Sequence, residues 1–356
     1  MAHRKIFDYK THLAMPCLAT VITTLMGMSA TAPSFAQNTQ VNAICSTNQE
    51  WCEAAARAFS AKTGIKVLQT RKATGEALAQ IKAESNNPKT DVWWGGTGDP
   101  FLAAAEDNLL ESYRPNYIND LHSWSVRQYA TSSNMVGGFY TSAIGFGWNE
   151  ELLKKKKLPA PKCWADLLDP RYKGEVEMAH PASSGGAYTI VASLMQVMGE
   201  EPAFDYMRKL HKNITQYTRS SNAQGKNVAK GEVGIGISFI FGFEQERING
   251  FTFVKSAAPC EGTGYEVGGI ALVKGSRNKD AGRAYYDWLM GPEGQSIGAT
   301  VNNLQSPANK TFTPDPKIPK MDDVKLVRYD FQKYGSRAER KRIIDRWEKE
   351  VGGQVR

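Results

Sequence analysis

Histidine is scarce in this sequence, with five in 356 residues. None stands in an H-E-x-x-H pattern, which excludes the common zinc-peptidase site. Also missing are the G-x-x-x-x-G-K-[ST] phosphate loop, the acidic EF-hand loop and the G-x-S-x-G nucleophile elbow. The glycines of "GGTGDP" (95–100) have no third partner at dinucleotide-fold spacing. No stretch interleaves aromatic and basic residues as a nucleic-acid surface does. His180 lies near Ser183, yet beyond residue 36 only His122 and His211 accompany it, and no hydrolase motif joins them. These absences leave no enzyme class and no nucleic-acid partner with a signal, and nothing asks for a cofactor or a metal.

Long apolar runs are lacking too. "LAMPCLATVITTLMGM" (13–28) is rich in Thr and Gly and falls below the ~20 apolar residues that span a bilayer. Arg4, Lys5 and Lys10 precede it, and "SATAPSFAQ" follows with Ser34 and Ala36 at small-x-small spacing. That pattern predicts a secretory signal cleaved after Ala36. Cys17 follows Met15-Pro16, a poor context for a lipid anchor. About 320 residues then remain, more than one core usually serves, so two domains are expected. The leader takes three basic residues and Asp8 with it, so the formal charge of +8 falls only slightly. A modestly basic exported chain suits anionic surfaces or ligands.

Cysteine is sparse as well. Past the leader stand Cys45, Cys52, Cys163 and Cys260, spaced too widely for a four-cysteine metal centre. An even count in an exported chain points to disulfides, with three possible connectivities. Cys45 and Cys52 flank "STNQEW" and are close enough to pair locally. Cys163 and Cys260 would then close a loop of about a hundred residues.

What is present is alternation. "VNAIC" (41–45), "IKVLQT" (65–70) and "DVWWGG" (91–96) read as strands, each followed by a helix: 50–64 ending at Gly64, 75–87 with Thr74 as N-cap, and 100–110 with Pro100 at its first position. The order returns with "GEVEMAH" (174–180), the helix opened by "PASSGGAYTIVASL" (181–194), "ITQYT" (214–218) and "VGIGIS" (233–238). Alternating βα units imply an α/β chain with parallel sheets wound by helices. "VGGFYTSAIGFGWN" (136–149) and "GTGYEVGGIALVKG" (262–275), extended and punctuated by glycine, suit two connecting strands at a hinge. The charged helix at 337–351 is expected to pack and solvate the outside.

Ligands of open parallel sheets bind at the carboxyl ends of strands. Small hydroxyl and glycine residues recur at those ends: Ser46, Thr47 and Asn48; Thr74 and Gly75; Thr97 and Gly98; Ser183, Ser184, Gly185, Gly186 and Ala187; Ser220 and Ser221; Ser238. A helix N-terminus offers unpaired N–H groups and about half a positive charge, and glycine lets an anion approach. Ser183 or Ser184 is expected to cap the helix that "PASSGGAYTIVASL" opens while Gly185, Gly186 and Ala187 bare their amides. Tyr265 and Glu266 sit on the returning connector. There Glu261 or Glu266 could accept ligand hydroxyls or an amine, or Glu266 could be an ion-pair partner lining the hinge. Trp93-Trp94 could offer a ring to a ligand or be buried, and the "KKKK" of 154–157 is expected to be a solvated helix end.

With "GGTGDP", "KCWADLLDPRYKGEVEMAHPASSGGAYT", "KGEVGIGIS" and "APCEGTGYEVGGIALVKG", the chain resembles the periplasmic solute-binding proteins of ABC importers. The branch is the one commonly labelled iron(III)-binding, which also holds carriers for phosphorylated sugars, phosphonates and thiamine. The resemblance implies a type II two-lobe fold, each lobe a mainly parallel sheet flanked by helices, with two crossover strands. The lobes would comprise 37–140 with 267–310, and 141–266 with 311–356. It implies a periplasmic monomer that holds a small anionic solute in the interlobe cleft and docks on an ABC permease in the inner membrane. The alternatives are a ferric carrier with a synergistic anion or a sensory solute-binding protein. Ferric members use an adjacent tyrosine pair after the strand matching "VGIGIS". This chain has "FIFGF" (239–243), with Phe241 and Gly242 where phenolates would be needed, and its Tyr285-Tyr286 pair falls in a helix that looks like packing. A hard trivalent ion needs anionic oxygens, so the resemblance implies the anion half of such a site without the metal half.

Overall fold

The computed structural model describes residues 40–353, and the expected leader lies outside them. The described residues form one compact unit. Its strands are β1 (Gln40–Cys45), β2 (Lys66–Arg71), β3 (Val92–Thr97), β4 (Leu110–Glu111), β5 (Gly137–Asn149), β6 (Val176–Ala179), β7 (Ile214–Thr218), β8 (Ile235–Phe239), β9 (Val254–Ala257), β10 (Tyr265–Val273) and β11 (Ser306–Pro307). The helices are α1 (Gln49–Thr63), α2 (Thr74–Ala83), α3 (Asp99–Glu106), α4 (Ser123–Thr131), α5 (Glu150–Lys155), α6 (Gly185–Met198), α7 (Glu200–His211), α8 (Gln224–Lys230), α9 (Ile240–Ile248), α10 (Lys279–Met290), α11 (Pro292–Thr300), α12 (Phe331–Tyr334) and α13 (Arg337–Trp347).

The main strand order is β2-β1-β3-β10-β5-β8-β6-β7. Two parallel triplets, β2-β1-β3 and β8-β6-β7, stand at the ends. Between them β10 and β5 run antiparallel to their neighbours and to each other. The thirteen-residue β5 pairs with β10 through its first half and with β8 through its second. Each triplet has its own core. One gathers Trp164, Tyr188, Phe204 and Trp347 around α6 and α7, and the other Trp51, Trp94, Tyr285 and Tyr286 around α1 and α10. This is the two-lobe α/β architecture with two crossover strands. Every residue of β3 is buried, as helices on both faces of a sheet require, whereas the edge strand β2 alternates between exposed and half-buried residues.

Local chemistry sets the boundaries. Gly64, at φ 74°, closes α1 by donating its amide to the Ser60 carbonyl. Thr74 is the first residue of α2, and Ala73 holds the cap position, a departure from the expected Thr74 cap. The third helix stops at Glu106 instead of continuing to 110, because Asn108 turns left-handed at φ 58° and Leu110 leaves to pair with Val273. Two disulfides form, Cys45–Cys52 with Cα atoms 5.9 Å apart and Cys163–Cys260 at 4.8 Å. The first pins the end of β1 to the opening turns of α1.

Candidate functional site

The carboxyl ends of β1, β2, β3, β6 and β7 deliver their loops to one narrow cavity. Ser46, Thr74, Gly96, Thr97, Ser184, Gly186, Ser220, Ser221 and Glu266 line it, joined by Ala73, Tyr140, Asn222, Phe239, Phe241 and Gln305. Ser184 occupies the cap position of α6, and its Oγ accepts the Ala187 amide at 3.3 Å. The same oxygen accepts the Ser221 amide at 3.2 Å and lies 2.8 Å from Ser221 Oγ. The first intrahelical bond runs from Tyr188 N–H to the Ser184 carbonyl, so the Gly185 and Gly186 amides precede the hydrogen-bonded ladder. Across the cavity, Thr97 Oγ1 is buried and has no partner. Gly95 and Gly96, at φ 74° and 76°, turn the end of β3 toward the cavity. A side chain on Gly96 would collide with Thr74 Oγ1 and Ser46 Cβ.

Several expected donors are spent elsewhere. The Gly75 amide donates to the Ser183 carbonyl at 3.1 Å, clasping α2 to the α6 loop. Ser183 Oγ donates to the Arg219 carbonyl. The Ala187 amide is taken by the Ser184 cap and is therefore not bare. Thr47 Oγ1 approaches Gln305 at 3.4 Å, and Asn48 donates to Gln245 at 2.7 Å. Ser238 Oγ donates to the Ser221 carbonyl. Gly98 packs under Gln128 and the Val267 carbonyl. Gly185 packs against Thr97 and Thr74. Tyr265 faces a different cavity. Glu261 leaves the cleft altogether, accepting the Trp164 and Ala165 amides. Trp93 and Trp94 are both fully buried, with Trp93 stacked on Phe101 at 3.6 Å. His180 Nε2 faces Glu348 at 3.2 Å, while Ser183 Oγ meets the Arg219 and His180 carbonyls and not the imidazole, so no nucleophile–base pair forms.

The electrostatics follow from burial. Glu266 has no ion-pair partner among the described residues and accepts the Gln305 amide at 2.7 Å. Burial pushes its carboxyl up to about 8, nearby Asp99 adds to the rise, and the Gln305 bond opposes it. At neutral pH it is a neutral acid able to donate to a ligand oxygen. Burial also raises the Tyr140 phenol, which accepts the Gly96 amide. Arg71, at the rim, donates to Ser220 Oγ at 2.7 Å and to the Thr47 carbonyl at 3.2 Å. Burial draws its pKa down while Glu76 and Glu50 raise it. Phe241 presents a ring to the cavity and no oxygen. Among the described residues, the cluster of potential metal ligands is Cys163, Cys260 and Glu261, whose cysteines are oxidised to a disulfide.

Tyr140, Gln305 and Asn222 escaped the sequence reading. Tyr140 lies in a strand noticed only as a connector. Gln305 arrives from a loop after α11 that carries no motif.

The bacterial extracellular solute-binding protein model matches residues 87–333. An uncharacterized protein of Haemophilus influenzae is 40% identical over 309 residues, covering 86% of this chain and 89% of its own. The periplasmic binding protein AfuA from Actinobacillus pleuropneumoniae, solved with exogenous fructose-6-phosphate bound, superposes with a TM-score of 0.84. It is 39% identical over 88% of this chain and 98% of AfuA. The periplasmic binding protein P5PA gives a TM-score of 0.84 at 33% identity, over 88% and 99% of the two chains.

Proposed function

The chain belongs to the bacterial extracellular solute-binding proteins, and from that premise we propose that it captures a small organic phosphate for an ABC importer, with sugar phosphates as the leading class. The observation that carries this reading is the meeting of the Ser46, Thr74, Thr97, Ser184 and Ser221 hydroxyls with the N-terminus of α6 in one narrow cavity. The leading amides of α6, Thr97 Oγ1 and the Ser184–Ser221 hydroxyls would hold the phosphate, and neutral Glu266 with Gln305 would meet a ligand oxygen. The solute bound to AfuA supports the choice of a sugar phosphate. The protein would be exported by its first 36 residues and would act as a monomer. We take the lobe boundaries to fall near 140 and 266 in the crossover strands, and near 310 in the C-terminal part.

Charge-assisted hydrogen bonds contribute about 1.5–3 kcal/mol each. A micromolar carrier needs about −8 kcal/mol net, so a handful suffices after the costs of ordering. Phe241 argues against iron, because a phenyl ring offers no anionic oxygen.

The test is calorimetric titration of purified protein with fructose 6-phosphate, fructose and inorganic phosphate, beside a ferric chloride titration followed by visible absorbance. Saturable binding of the phosphate ester, lost for fructose, supports the reading. A coloured ferric complex with no phosphate-ester binding overturns it.

A further inference from the structure

A second cavity, about 590 Å³, opens beside the crossover strand β10. Its floor is Tyr265 and Val267, which flank Glu266. Side chains alternate along a strand, so this cavity lies on the face of β10 opposite the cleft. Its walls are α4, through Trp124, Arg127 and Gln128, and the segment 328–332, through Arg328 and Phe331.

Two features mark it as a binding site. Its volume falls in the ~300–1,000 Å³ range of small-molecule pockets. The walls pair aromatic surface with positive charge. Tyr265 and Phe331 meet edge-on at 5.4 Å, and Trp124 closes another side. Arg127 and Arg328 line the cavity, and neither forms an ion pair among the described residues. The one carboxylate in the lining, Asp330, is engaged in capping α12 through the Lys333 amide at 2.9 Å.

We propose that this cavity is a second ligand site that takes a small ring-bearing carboxylate, its ring between the aromatic walls and its carboxylate on Arg127 and Arg328. Planar guanidinium groups suit a carboxylate geometrically, and a ring buried among aromatics gains from edge and stacking contacts. The walls also belong to different cores. α4 contributes Tyr129 to one, while Tyr329 and Tyr334 anchor the opposite wall in the other. An occupant therefore touches both sides of the hinge and changes the ease of cleft closure. That coupling rests on the proposed solute capture proceeding by closure of the two lobes, whereas the site itself does not.

The test uses benzoate as probe, followed by saturation-transfer NMR and tryptophan fluorescence on the full protein. Saturable benzoate binding is expected in the millimolar range or tighter, with acetate at least tenfold weaker. Arg127→Ala with Arg328→Ala should weaken benzoate at least tenfold and leave fructose 6-phosphate binding in place. Both arginines are exposed, so the fold should tolerate the change. Benzoate should still bind with the cleft saturated by fructose 6-phosphate, at a shifted affinity if the two sites are coupled. Competitive displacement by fructose 6-phosphate, equal binding of acetate, unchanged binding in the arginine variants or no saturable binding would overturn the proposal. Absence of fructose 6-phosphate binding alone would sink only the cleft reading.

Discussion

Gly185→Ala separates closure from folding. Gly185 is the first residue of α6, and a Cβ there would collide with Thr97 Oγ1 and press on Thr74 Cβ at 3.0 Å and Pro100 Cγ at 3.1 Å. All three neighbours sit on the facing side of the cleft, in the loops and opening turns of α2 and α3. With the lobes closing on the solute as proposed, the collision exists only with the cleft shut. Overpacking of this kind costs about 1–3 kcal/mol, and here it falls on the closed form alone. The dissociation constant for fructose 6-phosphate should rise about 5- to 150-fold. Within the open molecule the change replaces a helical glycine by alanine, which favours the fold by up to about 1 kcal/mol. Affinity and ligand-free stability should thus move in opposite directions. Calorimetry and urea denaturation of the ligand-free protein measure the two. Thr97→Ala in the Gly185→Ala background removes the colliding oxygen and should recover part of the loss, a coupling that a double-mutant cycle isolates. An affinity within twofold of the parent, or a stability loss matching the affinity loss, refutes the reasoning.

Glu266 makes stability fall with alkalinity. Its folded pKa of about 8 lies above the ordinary 4.5, so the folded chain holds a proton that the unfolded chain releases between those values. The contribution is fully present below pH 4.5 and is lost as pH climbs to about 8, a swing of up to about 5 kcal/mol. Denaturant midpoints at pH 5, 6.5 and 8 should show this slope in the parent and a flatter one in Glu266→Gln, and parallel curves would refute the assignment. Cys163→Ser with Cys260→Ser opens a loop of 97 residues. It should lower unfolding free energy by about 4–5 kcal/mol in the chain-entropy model, measured under non-reducing conditions; a loss below about 1 kcal/mol would argue that the loop is already constrained when unfolded.

The fold was legible because its signals are local. Apolar strand runs, Gly64 after a helix and Ser184 before one each act over a few residues, and their alternation alone implies parallel sheets. The half-site built from strand ends was legible for the same reason, since Ser46, Thr74, Thr97 and Ser184 stand where βα loops must begin. What escaped depends on distant pairing. Gln305 reaches Glu266 across 39 positions, and no pattern around either residue announces it. The fate of the Gly75 amide was equally hidden, because its acceptor is a carbonyl on a loop more than a hundred residues away. Sequence shows which donors stand at helix mouths, but only tertiary structure shows which of them the protein uses on itself.

That self-use determines where the closure energy resides. The two sides are clasped by the Gly75–Ser183 bond, the Asn48–Gln245 pair and the rim pairs Glu76–Arg219 and Glu50–Lys226. Beneath the cavity, buried Asp99 accepts Thr189 Oγ1 at 2.7 Å and Tyr329 Oη at 3.1 Å. The observed affinity is the intrinsic affinity of the closed form reduced by the fraction of molecules closed. The Arg219 side chain is 85% exposed, and exposed pairs contribute about 0–1 kcal/mol. Glu76→Ala should therefore weaken fructose 6-phosphate binding by no more than about fivefold. Asp99→Ala strips the buried Tyr329 hydroxyl of its acceptor in the closed form, while Thr189 Oγ1 keeps the Gly185 carbonyl at 3.0 Å. At about 1–3 kcal/mol for the orphaned group, affinity should fall about 5- to 150-fold, beyond the rim variant. Equal losses in the two variants would place the closure energy at the rim and contradict a latch beneath the cavity.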